Sequence, residues 1–258
     1  MKNVIRSNLK KVKIFKYIII VFRTFQISPN YLIRIKNLCS YLSDYKIYRQ
    51  INTNKSFLLN TVDLFPRIYD KTQITGVDPI YFLQGTWCAK KIFENKPIKH
   101  VDIGSQALMV GIISQYVPTT MVDIRPLSVK LSGLSFVKGD ITNLPFPDNS
   151  IESLSSICVI EHIGLGRYGD PLDPYGTEKS VSELIRILKK GGSVYISVPI
   201  DNESKIYFNA HRAFSRTHIL NLFKDLSLRE EKYIYGNDMF DNYDAKKGFG
   251  TGLYHFKK

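Results

Sequence analysis

The sequence predicts an α/β protein: a doubly wound, mostly parallel, seven-stranded sheet preceded by a helical, basic N-terminal extension. Two observations carry this. From Lys99 onward, short apolar runs alternate with helix-periodic stretches, the pattern of a parallel sheet covered on both faces. The 258 residues, 44% of them apolar with 16 Gly and 11 Pro, have ordinary globular composition and enough chain to bury a large core.

Five strands follow from this pattern, over 100–103, 121–124, 135–138, 153–160 and 193–198. Helices fall between them over 106–115 and 177–190, the second stopped by Gly191 and Gly192. A further helix is expected over 215–223. Two more strands, 232–235 and 253–256, would close the sheet with an antiparallel pair. Asp78 and Pro79 form an N-cap and first turn for a helix carrying Phe82, Trp87, Ile92 and Phe93 and ending before Pro97. The domains are therefore expected at 1–77, the basic extension and its connection, and 78–258, the α/β core. Residues 51–77 read as connection plus one short element.

The net charge of +13 is unevenly placed. Residues 1–50 hold eleven Lys or Arg against Asp44 alone, leaving 25 cations and 22 acids for the rest. Leu32, Ile35, Leu38, Leu42 and Tyr45 recur at helical spacing after Ser28 and Pro29, and Val4 to Ile19 suggests an earlier helix with Lys10, Lys11, Lys13 and Lys16 on its flanks. Such an arm suits an anionic membrane surface or an acidic partner, with residues 1–27 as the contact; it equally suits a packing helix with a solvated basic side. Its aromatics, Phe15, Tyr17, Phe22, Phe25 and Tyr31, lie among apolar neighbours, which disfavours nucleic acid as the partner. The run 17–22 is too short to span a bilayer. Cys39, Cys88 and Cys158 are odd in number and widely spaced, so neither a disulfide framework nor a metal site is expected, and a cytoplasmic setting is the simplest.

In doubly wound sheets ligands bind beyond the carboxyl ends of the strands. Those positions are polar here: Asp102 and Gly104 after the first strand, Asp123 after the second, Asp140 after the third, and Glu161-His162 after the fourth. Asp123 follows Asp102 by 21 positions, the spacing at which a carboxylate reaches a ribose. Each Asp would serve equally well as a loop capper bonded to nearby backbone N–H groups.

The runs VDIGS at 101–105, MVDIRP at 121–126, GDITNLPFPDNSIESL at 139–154, VIEHI at 159–163 and ELIRILKKGGSVYISVP at 183–199 resemble class I methyltransferases dependent on S-adenosylmethionine (SAM), which have a Rossmann-like fold. EHIGLGRYGDPLDPYG at 161–176 and FNAHRAFS at 208–215 more closely resemble an uncharacterised bacterial branch known as domain of unknown function 268. The resemblance spans about residues 78–240. It implies SAM as the cofactor, with Gly104 and Ser105 at its methionine part, Asp102 bracing that loop, Asp123 on the ribose hydroxyls, and Asp140 and Ile141 at the adenine. One departure is visible: a single glycine stands in the first loop, Gly104 to Leu108, where two or three are the rule. This predicts a cofactor that binds weakly, in a shifted pose, or not at all.

The family resembled is unassigned by chemistry; the leading expectation for this chain is O-methylation of a small or carbohydrate-type acceptor, in a setting such as cell-surface glycan biosynthesis. His162 is the candidate general base, since an imidazole titrates near neutral pH, and Glu161 would orient it or bind the acceptor; a structural His bonded to a loop is the alternative. The Gly- and Pro-rich loop 164–176, with Arg167, Tyr168 and Asp170, forms either an acceptor wall or a structural loop pinned by its own Asp and Tyr side chains. His211 and Arg212 follow the fifth strand. Arg212 would bind an acceptor phosphate or carboxylate, or pair with Asp170 or Asp173. A catalytically silent module that binds a glycan or protein partner is the other reading. A nicotinamide-dependent enzyme would lack its glycine fingerprint here.

Overall fold

The structure, a computed structural model, describes residues 31–258. The chain divides into two units at Gly76 and Val77. The expected helix and basic arm within residues 1–27 lie outside the described residues.

In the first unit, helix α1 (Tyr31–Ile51) is followed by a 3-10 turn at Thr61–Asp63. Asn37 donates to the Ile68 carbonyl at 2.9 Å, folding the connection back along α1. Periodicity located the helix; within it Ile35, Leu38 and Leu42 are exposed and Tyr45 is partly buried.

The second unit opens with α2 (Pro79–Asn95). Asp78 caps it by accepting from the Ile80 and Tyr81 N–H groups, and Lys96 ends it in a left-handed conformation before Pro97. The sheet comprises β1 (His100–Ile103), β2 (Thr119–Asp123), β3 (Leu134–Lys138), β4 (Ile151–Ile157), β5 (Leu188–Ile200), β8 (Ser227–Tyr235), β9 (Asp238–Phe240) and β10 (Gly250–Lys257). Its order is β3-β2-β1-β4-β5-β10-β8-β9. The first five strands are parallel, and β10 runs antiparallel between β5 and β8. The short edge strand β9 makes eight strands where seven were expected. Beside the sheet, β6 (Lys205–Tyr207) and β7 (His211–Ala213) form a separate hairpin.

Helices α3 (Ala107–Ile113), α4 (Gly176–Ile187) and α5 (Arg216–Leu222) complete the fold. Alternation along the strands sorts the core into two faces. Val194 and Ile196 pack with Val181 and Leu184 of α4 and Ile219 of α5, whereas Tyr195 packs with Trp87 and Ile92 of α2 and Val110 of α3. Gly191 and Gly192 do not stop α4, which ends at Ile187. They form a bulge in β5, because Ile151 pairs with Leu188 but Ser153 pairs with Ser193. Gly191, at φ +78°, donates there to the Lys258 carbonyl.

Strand order reverses between β1 and β4. The loops after these strands diverge and open a crevice, the position at which such sheets bind ligands.

Candidate functional site

The floor of the crevice is a buried polar network. Asp102, fully buried on β1, accepts the Ser105 N–H at 3.0 Å and the Ser155 hydroxyl. Ser155 also contacts His100 Nε2 at 2.9 Å, and His100 Nδ1 lies 2.8 Å from the Ser153 hydroxyl. Burial pushes Asp102 up to about 6, with the two serine bonds opposing, and holds His100 neutral, down to about 3. Asp102 therefore braces the loop from beneath and does not line the hollows above it. Ser105 turns its hydroxyl inward to accept the Ile157 N–H at 2.9 Å, tying the β1 loop to β4. Gly104 sits at φ +69°, and a Cβ there would lie 3.0 Å from Val159 Cγ1, so a side chain would be strained by the backbone and would crowd Val159.

Two adjoining hollows, of about 310 and 440 Å³, share Gly104, Asp123, Arg125, Cys158 and Tyr168 in their walls. The first reaches Asp140 and Ile141 beyond β3; the second runs over Ser105, Gln106 and Ala107. The glycine-poor loop thus leaves open space above it, because Ser105 points down and Ala107 is small. Both outer carboxylates also cap their own loops. Asp123 accepts the Arg125 N–H at 2.8 Å, and Asp140 accepts the Thr142 N–H and hydroxyl, both at 2.8 Å. The capping and wall-forming readings hold together for these two residues.

The far end of the crevice gathers groups from four segments. Cys158, at φ +53° just past β4, donates its thiol to Gln84 Oε1 at 3.1 Å; Ser197 donates to the same oxygen at 2.9 Å. Glu161 is 1% exposed, its Oε2 has no partner, and burial pushes its carboxyl up to about 8. His162 departs from the expected near-neutral titration. It is buried, its Nδ1–H donates to the Ala210 carbonyl at 2.7 Å, and burial lowers it to about 4. Its Nε2 lies 3.6 Å from Glu161 Oε1. At neutral pH the imidazole is neutral and the carboxyl protonated, so Glu161 has the higher proton affinity of the two.

Two guanidinium groups lie over the Tyr168 ring, Arg125 at 4.6 Å and Arg167 at 5.1 Å from its centre, and the ring meets that of His162 edge-on at 5.5 Å. Arg167 also donates to the Ala210 carbonyl at 2.9 Å. Asp170 pins this loop, accepting from the Gly164, Gly166 and Tyr168 N–H groups while lining the first hollow. The loop is both wall and self-bonded structure.

Arg212 is not placed for an acceptor. It is buried, and its guanidinium donates to the carbonyls of Ile163 at 2.6 Å, Asp173 at 3.3 Å and Pro174 at 3.4 Å. It fixes the loop through backbone oxygens rather than through the Asp170 or Asp173 carboxylates. His211 lies beside His162, rings 6.5 Å apart, with its Nε2 buried and unpartnered.

Sequence reasoning missed Tyr81, Gln84, Arg125 and Cys158. Tyr81 lines the second hollow, and burial, reinforced by Cys158, Tyr168 and Glu161, raises its phenol. The Asp78 cap sets the phase of α2 and puts Tyr81 and Gln84 on one face, but no sequence signal says that this face meets the end of β4. Among the described residues no group of three or more His, Cys, Asp or Glu side chains is arranged to hold a metal ion. No described helix is long and apolar enough to cross a membrane.

Comparison with known proteins bears on the fold. The DUF268 family, described as Caenorhabditis protein of unknown function, matches residues 141–230. The expected bacterial assignment is not supported, since the description names Caenorhabditis. No curated protein matches the sequence. Among solved structures, the N-methyltransferase NodS of Bradyrhizobium japonicum WM9 with S-adenosyl-L-homocysteine (SAH) is 12% identical over 70% of this chain and 88% of that one, with a TM-score of 0.52. The Burkholderia thailandensis 1,6-didemethyltoxoflavin-N1-methyltransferase, with 1,6-didemethyltoxoflavin and SAH bound, is 13% identical over 68% and 78%, at 0.50. The [4+2]-cyclase SpnF is 11% identical over 67% and 80%, also at 0.52. The chain has the fold of the SAM-dependent methyltransferases. That fold also carries a cyclase, so the reaction has to be argued from the site.

Proposed function

We propose that this protein is a SAM-dependent methyltransferase that methylates a hydroxyl group of a small or carbohydrate-type acceptor. The observation that carries the reading is the pair of adjoining hollows, walled by Gly104, Asp123 and Asp140 at the ends of β1, β2 and β3 and by His162 past β4, with Glu161 buried behind His162.

These residues fit the cofactor. Gly104, lacking a side chain at a strained position, would let the methionine part approach the backbone; Asp123 would accept from ribose hydroxyls once Arg125 yields. Asp140 would accept from the adenine amine, and Ile141 would contact the ring. Bound SAM supplies a methyl group on a positive sulfonium, so the protein's tasks are alignment and removal of the acceptor proton. Glu161, as the carboxylate, takes that proton. His162, with Nδ1 fixed by Ala210, orients the acceptor through Nε2. The cytoplasm supplies the cofactor, and glycan biosynthesis would supply the acceptor, with residues 1–27 holding the enzyme at an anionic membrane face.

The test is transfer of a radiolabelled methyl group from SAM to a panel of nucleotide sugars and phosphorylated sugars. The reading expects label in at least one acceptor with wild-type protein and none with Glu161→Gln. Label that survives Glu161→Gln at full rate contradicts the assigned proton acceptor.

A further inference from the structure

We propose that a run of aromatic rings leading out of the crevice is the acceptor subsite, and that it takes a pyranose ring bearing an anionic substituent. The word acceptor rests on the methyltransferase reading; the binding does not.

The run is built by the hairpin and by the turn entering β10. Pairing of β6 with β7 sets Tyr207 opposite His211, their rings 5.1 Å apart. Phe249 lies 6.1 Å from Tyr207 and 5.8 Å from His211. His211 lies 6.5 Å from His162, which meets Tyr168 at 5.5 Å. Five rings from three separate segments thus form a continuous path whose inner end, His162 and Tyr168, is the wall of the first hollow. Packing has not finished burying them: Tyr168, Tyr207 and Phe249 remain 38%, 41% and 47% exposed. Half-exposed aromatic faces grouped at the mouth of a crevice offer apolar contact to a ligand ring.

The polar groups beside the path narrow the class. Behind the rings, outside the lining of the two hollows, Glu161 Oε2 and His211 Nε2 are buried and unpartnered; a ligand hydroxyl that reaches them as the rings move apart satisfies them, which favours a ligand rich in hydroxyls over an apolar one. Arg167, above Tyr168, donates to the neutral Ala210 carbonyl, with no carboxylate in ion-pair contact among the described residues. Its planar fork suits a carboxylate or phosphate. Apolar faces, unfilled hydroxyl-bonding sites and an uncompensated cation together describe an anionic sugar.

Titration of the full chain with glucuronic acid, glucose 1-phosphate, glucose and inorganic phosphate, each with and without SAH, tests this. At least one anionic sugar is expected to bind tenfold or more tighter than glucose and than phosphate, and which one identifies the anion. Arg167→Gln should remove that advantage while leaving glucose unchanged. Phe249→Ala, at an exposed position, should weaken the sugars but not phosphate, with SAH affinity and melting temperature unchanged. Anionic sugars binding no better than glucose, or unaffected by both substitutions, overturn the subsite. If SAH binds and no sugar does, the subsite fails and the methyltransferase reading stands; if sugars bind and SAH does not, the reverse holds.

Discussion

Asp123 and Arg125 clasp one another at the mouth of the crevice. The Asp123 Oδ1 accepts both the Arg125 backbone N–H at 2.8 Å and its Nε at 3.3 Å, and the same guanidinium lies over Tyr168. The carboxylate assigned to the ribose is thus already partnered. Asp123→Asn should weaken SAH binding about tenfold or more, the loss of charge-assisted hydrogen bonds worth ~1.5–3 kcal/mol. Arg125→Ala should tighten it by a few-fold at most, because the guanidinium is over half exposed. Calorimetric titration of both variants checks the pair; equal weakening by both would show that Arg125 assists the ligand instead of competing with it.

Glu161 predicts the pH profile of methyl transfer. Its carboxyl is raised to about 8 by burial, and only the deprotonated form accepts a proton, so the rate should climb as pH rises through about 8. His162, near 4, is already neutral and contributes no inflection between pH 6 and 9. Glu161→Gln should flatten the profile and lower the rate by about 10²- to 10⁴-fold. A single inflection near 6.5 would instead return the proton to an imidazole.

Asp102 gives a stability prediction of unusual sign. Its folded value, about 6, lies above the unfolded 3.8, so the native state holds the proton more tightly and stability falls as pH rises between about 4 and 6. His100, linked to it through Ser155, works the other way: held down to about 3, it adds stability as pH rises from 3 to 6.5. Asp102→Asn should therefore gain stability relative to wild type on going from pH 4 to pH 7, by up to ~3 kcal/mol. Denaturant titrations at the two pH values read this directly, and a constant difference would mean that Asp102 titrates normally.

The wall loop depends on Gly164. At φ +81°, a Cβ there would fall 2.0 Å from the Asp173 carbonyl oxygen, which also accepts from Arg212. Gly164→Ala should cost at least about 2 kcal/mol and loosen Tyr168 from the crevice. Gly169→Ala has a similar φ but open space around it, and it should cost less. Melting curves of the two variants make the comparison, and equal losses would assign the cost to backbone strain alone.

Strand periodicity and the polar residues after each strand made the parallel core legible; burial leaves an apolar run in β5 from Val194 to Ile200, whereas β1 and β4 also bury His100, Asp102, Ser153, Ser155 and Ser156 and signal more weakly. The three-residue strand β9 and the hairpin β6–β7 were not legible, being too short for any period. Gly191-Gly192 misled because a glycine pair suits a helix stop and a bulge alike. Within the site, Gly104, Asp123 and Asp140 were readable from strand ends. The behaviour of His162 and Arg212 was not, since both follow from long-range burial: His162 against Ala210, 48 residues away, and Arg212 against Ile163, 49 residues away. Arg212 looked available in sequence and is spent on three carbonyls. Tyr81 and Gln84 come from a helix that precedes every recognisable motif.

Calorimetric titration of the full chain with SAH, compared with Asp123→Ala, tests the central claim most directly and requires no knowledge of the acceptor. The account predicts binding in the micromolar range by wild type and its loss in the variant. Absence of binding by wild type at millimolar SAH, or equal binding by both proteins, would contradict the assignment of this crevice to SAM.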